Sequence, residues 1–271
     1  MQIVGSILVR NEDRFLERAI RNVTAFCDRI HAVDHGSSDA TWEILRTLAA
    51  EFDHLDIHRS RHSALAHRLL EPYAGTATWV IGVDGDELYD PSALVRFRED
   101  LFGGAHADVF RLKAHVLNCD ELEGETASGW LAPPSRPVTK LFNFAAVDSW
   151  QGIPEPLQGG DARFRPGYHW EARRDLAQTT TWETDPARLL HLCFLRRSSI
   201  DGDDGGRGRR SLAETGAYDV GTLGRLKRLV RRRRPAPHIL ELERQGKNWK
   251  QEWYARGDRV TVDARPFLGD S

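Results

Sequence analysis

The fold is decided by an apolar run that ends in three carboxylates around one glycine, Trp79-Val80-Ile81-Gly82-Val83-Asp84-Gly85-Asp86-Glu87. The five apolar or small residues at its start indicate a fully buried strand. In an extended chain Asp84 and Asp86 project to the same side, and Gly85 leaves the space between them open. Two convergent carboxylates form a partial site for Mg²⁺ or Mn²⁺, which leaves positions for water and phosphates. The alternative is an ordinary acidic turn after a strand.

Strand-like and helix-like segments alternate before this run. Apolar residues recur at helical spacing between each pair of strand-like segments. Such alternation predicts an α/β fold, with a mostly parallel sheet, helices on both faces and right-handed crossovers. Asp13 is the predicted cap of the first helix. The predicted strands are 3–9, 29–33, 55–58 and 79–83, and the predicted helices are 15–26, 41–52 and 62–73.

The regularity weakens after a fourth predicted helix, which runs from Pro91 to Phe102. We expect a first domain over residues 1–200 and an Arg-rich, mostly helical C-terminal region over 201–271. Residues 196–234 hold 12 Lys or Arg and 5 Asp or Glu. The run Arg231–Arg234 is typical of a solvated helix face, and its alternative is contact with an anionic acceptor, a nucleic acid or a membrane surface. The later predicted strands are 107–117, 138–144 and 189–195.

Composition limits the class of protein. The 271 residues carry a formal net charge of −2 and are 40% hydrophobic, as in ordinary soluble domains. No run reaches the roughly 18 apolar residues needed to span a bilayer, so a cytoplasmic location is expected. A net charge close to zero does not indicate a nucleic-acid partner, and none is expected. Cys27, Cys119 and Cys193 are too few and too widely spaced for a disulfide framework or a zinc site.

Three polar clusters follow the first, second and fourth predicted strands. They are Arg10-Asn11-Glu12, Asp34-His35-Gly36-Ser37 and Asp84-Gly85-Asp86. Ligands of open parallel sheets bind outside the carboxyl ends of the strands, and these clusters fall on that edge. Arg59 follows the third strand, where it is either a phosphate contact or a solvated charge. The sequence therefore predicts a ligand site at this edge.

With these clusters the chain resembles the family 2 glycosyltransferases of the GT-A fold. The resemblance lies in ILVRNEDRFLERAI, VDHGSSDATWEIL and WVIGVDGDE, which cover residues 1–90 in order. His35 departs from the family pattern, in which an Asp or Asn is usual. The resemblance implies that Asp34 contacts the nucleobase with Glu12 nearby, and that Asp39 caps the next helix. It also implies that Asp84 holds the donor ribose or reaches the metal through water.

The same resemblance implies that Asp86 ligates Mn²⁺ or Mg²⁺ on the donor diphosphate, with Glu87 orienting the loop. A histidine in the C-terminal half often completes such a metal site, and His191 is the candidate. Its competitor is His169, and a packed core histidine is the plainer interpretation. Segment 150–155 resembles a Trp-x-Gly-x-x-Glu motif, with Pro154 where a His is common.

Glu155 is the candidate general base, with Asp148 as the alternative. The expected function is metal-dependent transfer of a sugar from a nucleoside-diphosphate donor to an unidentified acceptor, and the resemblance implies an inverting mechanism. The rivals are a nucleotidyltransferase that uses the same acidic site and a sugar-nucleotide-binding module without turnover. The candidate catalytic residues are Glu155 and Asp86. The candidate nucleotide-binding residues are Arg10, Glu12, Asp34, Arg59 and Asp84, and the candidate metal ligands are Asp86, His191 and Asp84.

Overall fold

A large mixed sheet organises the chain in the computed structural model, which describes residues 1–62, 64–152, 160–201 and 249–269. The strands of the first half are β1 (Gln2–Val9), β2 (Arg29–Asp34), β3 (Leu55–Arg59), β4 (Thr78–Val83), β5 (Glu87–Tyr89) and β6 (Arg111–Lys113). The later strands are β7 (Val116–Glu123), β8 (Thr126–Ala132), β9 (Lys140–Asn143), β10 (Val147–Gly152), β11 (Gly160–Phe164), β12 (Arg173–Asp175), β13 (Leu189–His191) and β14 (Arg259–Asp263).

The helices lie between and after these strands. They are α1 (Leu16–Thr24), α2 (Thr41–Glu51), α3 (Ala64–Arg68), α4 (Pro91–Phe102), α5 (Trp249–Tyr254) and α6 (Arg265–Leu268). Short 3-10 helices span Glu71–Tyr73, Phe144–Ala146 and Leu176–Gln178. No helix in the described ranges is both long enough and apolar enough to cross a bilayer.

The main sheet has the strand order β12-β6-β9-β4-β1-β2-β3. Strand β1 pairs in parallel with β2 and β4, and β2 pairs in parallel with β3. Strand β9 then runs antiparallel to β4. The predicted α/β fold is confirmed in its coarse form: a large sheet flanked by helices in a Rossmann-like arrangement.

Both faces of the parallel strands are buried because apolar residues fill inward and outward positions alike. Ile3 and Ile7 of β1 pack with Leu16 and Ile20 of α1 in the larger hydrophobic core. On the opposite face, Leu8 packs in a separate cluster with Val33 and with Ala66 of α3. The sheet is therefore covered on two sides, as the run of apolar residues in each strand predicts.

A second sheet, of order β14-β8-β7-β13-β5, lies beside the first. Three residues separate the end of β4 from the start of β5, so the Asp84–Asp86 turn joins the two sheets. Strand β14 pairs antiparallel with β8, and Phe267 of α6 is fully buried in the main core. Residues 249–269, which the sequence assigns to the C-terminal region, thus pack with the first 200 residues.

Four local predictions are wrong. The predicted strand over 189–195 is shorter, because β13 ends at His191. The predicted helix over 62–73 is shorter, because α3 ends at Arg68 and a 3-10 helix follows. The predicted strand over 107–117 is two strands in different sheets, because the backbone N–H of His115 bonds Asp185 Oδ2 at 2.8 Å instead of a strand neighbour. Asp13 does not cap α1, whose N-cap residue is Phe15. Cys27, Cys119 and Cys193 are free and buried.

Candidate functional site

The polar clusters after β1, β2 and β4 meet at one edge of the main sheet. Parallel register places Val9, the last residue of β1, opposite Asp34, the last of β2. The backbone N–H of Asn11 donates to Ser37 Oγ at 2.9 Å, and Ser38 N–H donates to Asn11 Oδ1 at 2.8 Å. These bonds tie the two strand-end loops together. The edge therefore has the polar lining that the sequence predicts.

Asp84 and Asp86 differ from the extended geometry that the sequence suggests. The chain turns at once after β4, because the backbone N–H of Glu87 donates to the carbonyl of Asp84 at 3.0 Å. The Asp84 side chain remains 40% exposed, whereas Asp86 is fully buried. The two carboxylates consequently have different surroundings and different cationic partners.

Gly85 is needed for close packing and does not leave an open space, which corrects the sequence-based expectation. A Cβ at this position would lie 2.3 Å from Glu12 Oε2 and 3.1 Å from Glu12 Cβ. Glu12 is itself held by its backbone N–H, which donates to Thr41 Oγ1 at 2.8 Å. The glycine thus admits the Glu12 carboxylate into the turn, where Glu12 and Asp86 share Arg197 as a partner.

Lys140, the first residue of β9, neutralises one side of the site. Its Nζ lies 2.7 Å from Asp84 Oδ2 and 3.5 Å from Glu87 Oε1. Glu87 is fully buried, and its Oε2 accepts the backbone N–H of Asp84 at 2.9 Å. Glu87 therefore holds the turn in place, in agreement with the orienting role expected of it. Burial raises the pKa of Glu87 to about 8, although the Lys140 ammonium opposes this rise.

The raised pKa of Glu87 gives a testable dependence of stability on pH. A carboxyl group that keeps its proton up to about pH 8 in the folded state, but loses it near 4.5 when unfolded, stabilises the fold most below pH 4.5. That contribution is lost as the pH rises from 4.5 to about 8. The isosteric variant Glu87→Gln lacks this titration. We expect the free energy of unfolding of wild type, measured with urea, to fall relative to that of Glu87→Gln as the pH rises across this window. A constant difference between the two proteins would contradict the raised pKa of Glu87.

Arg197 provides the second cation, and the sequence analysis missed it. Its Nη1 lies 2.8 Å from Asp86 Oδ2 and 3.4 Å from Glu12 Oε1. Burial alone would lower the pKa of this guanidinium, but Asp86 and Glu12 raise it above its ordinary value. Arg197 is therefore a permanent positive charge between two acids.

The segment 196–201 that carries Arg197 is fastened to the same edge. The Arg14 N–H donates to the Arg197 carbonyl at 3.1 Å, and the Ser199 N–H donates to Asp13 Oδ1 at 2.7 Å. Ser198 Oγ donates to Asp39, whose other oxygen accepts the Thr41 N–H at 3.0 Å at the start of α2. Asp13 thus anchors this segment instead of capping α1.

His191, at the end of β13, faces Asp86 across the site. The two groups approach to 3.9 Å between His191 Nε2 and Asp86 Oδ2. The other ring nitrogen, Nδ1, is 2.8 Å from Asn118 Oδ1. The ring of Tyr254, from α5, packs edge-on against the imidazole at 5.2 Å. The candidate His191 is accordingly brought to the predicted site, whereas its competitor His169 is exposed in a turn.

Asp34 is engaged within its own loop. Its Oδ1 accepts the Ser37 N–H at 2.9 Å and the Ser37 hydroxyl, and its Oδ2 lies 2.9 Å from Arg59 Nε. Arg59 in turn donates to the Ser37 carbonyl at 2.8 Å and stacks over the ring of Trp42. Asp34 is fully buried, so the exposed members of this group are Arg59 and the loop backbone.

The remaining candidate residues are more peripheral or lie outside the described residues. Arg10 is exposed at the end of β1. Asp148 pairs on the surface with Arg165 at 3.2 Å and with Arg163 at 3.6 Å. Glu155 and the run Arg231–Arg234 lie outside the ranges that the structure describes, so their predicted roles stay predictions.

The donor set at Asp86 and His191 fits a divalent cation held partly by substrate. Within the described ranges, no group of three or more His, Cys, Asp or Glu side chains is arranged to hold a metal ion. Mg²⁺ and Mn²⁺ are commonly bound through one or two carboxylates plus phosphates, which does not require such a cage. A carboxylate oxygen facing an imidazole nitrogen supplies two suitable ligands. Arg197 shares the same Asp86 oxygen, so a cation here would compete with the guanidinium.

Comparisons with known proteins identify no family. No protein-family model matches the sequence, and no curated protein matches it. Solved structures with partial similarity include residues 1–349 of the S. aureus glycosyltransferase TarS in complex with UDP. That match has 17% identity and a TM-score of 0.35, and it covers 46% of this chain and 39% of the TarS chain. The chain thus spans well under two thirds of the TarS fragment.

Two other solved structures are similar over part of their length. Mannose-6-phosphate isomerase from Helicobacter pylori has 13% identity and a TM-score of 0.33, with 47% of this chain and 55% of that chain covered. UDP-glucose pyrophosphorylase complexed with UDP-glucose has 12% identity and a TM-score of 0.27, with coverages of 61% and 75%. Because these TM-scores are low, the function has to be argued from the geometry of the site.

Proposed function

We propose that this protein is a metal-dependent glycosyltransferase of the GT-A type, which moves a sugar from a nucleoside-diphosphate donor to an acceptor hydroxyl. The observation that carries the proposal is the meeting of Asp86 and His191 at the carboxyl edge of a parallel sheet, where nucleotides bind in open α/β folds. Asp84 supplies an exposed carboxylate on the same turn for the donor ribose or for a water on the metal.

The charge of the donor is a second argument for a cation at the site. Glu12, Asp84 and Asp86 lie there together with Lys140 and Arg197. A donor diphosphate adds more negative charge, which a divalent cation would offset. When bound, Mn²⁺ or Mg²⁺ neutralises the charge that grows on the departing diphosphate. We assign its protein ligands to Asp86 and His191.

The nucleobase is assigned to the loop after β2. Asp34 fixes Ser37 and Arg59 by direct bonds, so its contribution to base binding runs through the shape of this loop. Arg59 is the cation on this side that remains partly exposed, and it is placed to contact the donor's nucleotide. We propose Arg10 and Glu12 as further residues of the donor pocket.

In the proposed inverting step, the acceptor oxygen forms a bond to the anomeric carbon while the bond from that carbon to the diphosphate oxygen breaks. The electron pair leaves with the diphosphate, and a carboxylate takes the acceptor proton. Glu155 is the proposed base. We expect Glu155→Gln to lower kcat by about 10²-fold with little change in donor KM, since general-base catalysis contributes on that order. Asp148→Asn is the matched control, and an equal loss in that variant would count against Glu155.

The proposed function is tested by a thermal-shift panel of UDP-, GDP-, dTDP- and CDP-sugars with and without Mn²⁺. A ligand at 100 times its Kd adds about 2.7 kcal/mol to the free energy of unfolding, so one base should raise the Tm clearly. Product analysis then separates the two transferase hypotheses. A glycosyltransferase releases a nucleoside diphosphate, whereas a nucleotidyltransferase forms or breaks a bond at the α-phosphate. Absence of any shift across the panel would overturn the proposal.

A further inference from the structure

Asn118 is a fully buried residue of β7 that lies between β8 and β13. Strand register places it beside His191 on one side and Trp130 on the other. The neighbouring Gly129 permits this close packing, since a Cβ there would lie 2.1 Å from the Asn118 carbonyl oxygen. The glycine therefore lets the backbone of β8 lie close against that of β7 at Asn118.

Hydrogen bonds determine which end of the Asn118 amide faces His191. Ser135 Oγ donates its proton to the Leu131 carbonyl at 2.6 Å, which leaves the hydroxyl oxygen as an acceptor. Asn118 Nδ2 lies 3.2 Å from that oxygen and 3.5 Å from the carbonyl of Trp130, both acceptors. The amide nitrogen must therefore point toward Ser135. The Oδ1 atom of Asn118 consequently faces the imidazole.

The orientation of the amide sets the tautomer of the histidine. Asn118 Oδ1 can only accept, so the His191 nitrogen 2.8 Å away, Nδ1, carries a proton and donates it. In the neutral ring, Nε2 then has its lone pair directed to the side of Asp86 Oδ2, 3.9 Å away. Asp86 Oδ2 also pairs with Arg197 Nη1 at 2.8 Å, so a cation between the imidazole and this carboxylate would have to displace the guanidinium from that oxygen.

We propose that Asn118 is a positioning residue, which holds His191 in the Nδ1-protonated tautomer and so presents Nε2 to a divalent cation at Asp86. This inference rests on the proposed metal site, and Asn118 is the residue that orients one of its two protein ligands. Outer partners of this kind fix ring orientation, and their loss typically costs about 10- to 100-fold in metal affinity. A purely structural asparagine would stabilise the fold without acting through His191.

The tautomer is measured first, without metal or substrate. Nitrogen-15 NMR of the imidazole, at a pH above the ordinary histidine pKa of about 6.5, distinguishes the two neutral forms. We expect His191 in the wild type to be protonated on Nδ1, and in Asn118→Leu to lose this preference. Protonation of Nε2 in the wild type would overturn the inference whether or not the protein is a glycosyltransferase.

Metal affinity is measured next, by electron paramagnetic resonance of Mn²⁺ added alone. Asn118→Leu should weaken Mn²⁺ binding by about 10- to 100-fold in the wild-type background. The same change in a His191→Ala background should have no further effect, because residues that act through one another are not additive. An equal loss in both backgrounds would show a structural role and overturn the inference.

Asn143→Leu is the control for loss of a buried amide. Asn143 is also buried and donates to the carbonyls of Ala107 and Val109, at 3.2 and 3.3 Å, but it does not contact His191. It should lower stability without moving the tautomer or the Mn²⁺ affinity. A wild type with the expected tautomer but no Mn²⁺ binding would overturn the metal role of His191, while sugar-nucleotide binding in the thermal-shift panel would remain a separate result.

Discussion

Asp86→Asn is expected to lower the proposed glycosyl transfer by about 10²- to 10³-fold, the range typical of removing one preorganised electrostatic contact to the reacting groups. The change keeps the shape of the side chain but removes the negative charge that faces His191 and Arg197. A cation loses its charged ligand, and Arg197 is left with Glu12 as its acidic partner. The measurement is transfer per folded molecule at saturating Mn²⁺, together with Mn²⁺ affinity.

The variant needs a control because losing one partner of a buried ion pair also destabilises a fold. Asp90→Asn is matched: Asp90 is 3% exposed and pairs with Arg188 at 2.7 Å, and it caps α4 through the Ala93 N–H. Asp90→Asn should lose stability but keep its transfer rate per folded molecule. Full activity of Asp86→Asn in the presence of EDTA would rule out the proposed role of this carboxylate.

Lys140→Met is expected to reduce the free energy of unfolding by about 1 to 3 kcal/mol, the usual cost of leaving a buried polar group without its partner. The loss stays below that of a buried ion pair because Asp84 is 40% exposed and Glu87 keeps its proton up to about pH 8. The methionine fills most of the volume but leaves Glu87 buried without its nearest cation and Asp84 without its closest contact. The free energy is measured by urea unfolding, with a constant slope as the check on two-state behaviour.

Two further variants separate the charge effect from packing. Adding Glu87→Gln to Lys140→Met should recover part of the loss, because a neutral amide replaces the stranded carboxyl group. Lys113 is the half-buried last residue of β6. Lys113→Met should change stability by no more than about 0.5 kcal/mol, as is usual for substitutions away from buried polar networks. A loss equal to that of Lys140→Met in the Lys113 variant would contradict the ion-pair explanation.

The parallel part of the fold could be predicted because its signals are local. The first four strands alternate with helices of regular apolar spacing, and the structure places all four within one residue of the prediction. The failures depend on distant contacts. Nothing near His115 indicates that Asp185, 70 residues away, captures its N–H and separates β6 from β7. Likewise β14 forms by pairing with β8, which lies more than 120 residues earlier in the sequence.

The candidate site, like the fold, could be predicted only where its signals are local in the sequence. Carboxylates at strand ends converge for topological reasons, so the sequence identifies Asp84 and Asp86 as neighbours of Glu12. Their partners carry weaker signals. Lys140 is a lone charge at the start of an apolar strand, which hints at a buried ion pair, whereas Arg197 is hidden among many arginines. Asn118 could be recognised only after the strands on both sides of it were known.

The burial of α6 in the main core bears on how the chain is made and how it reaches its folded state. Asn22 Nδ2 donates to the carbonyls of Tyr89 and Phe267 at 2.7 Å each, the second across 245 positions in sequence. A nascent polypeptide emerging from the ribosome can form the early parallel strands, but Asn22 waits for one of its partners until residue 267 has emerged. Until then the core lacks the helix that contacts both α4 and β5, so this side of the fold is completed last.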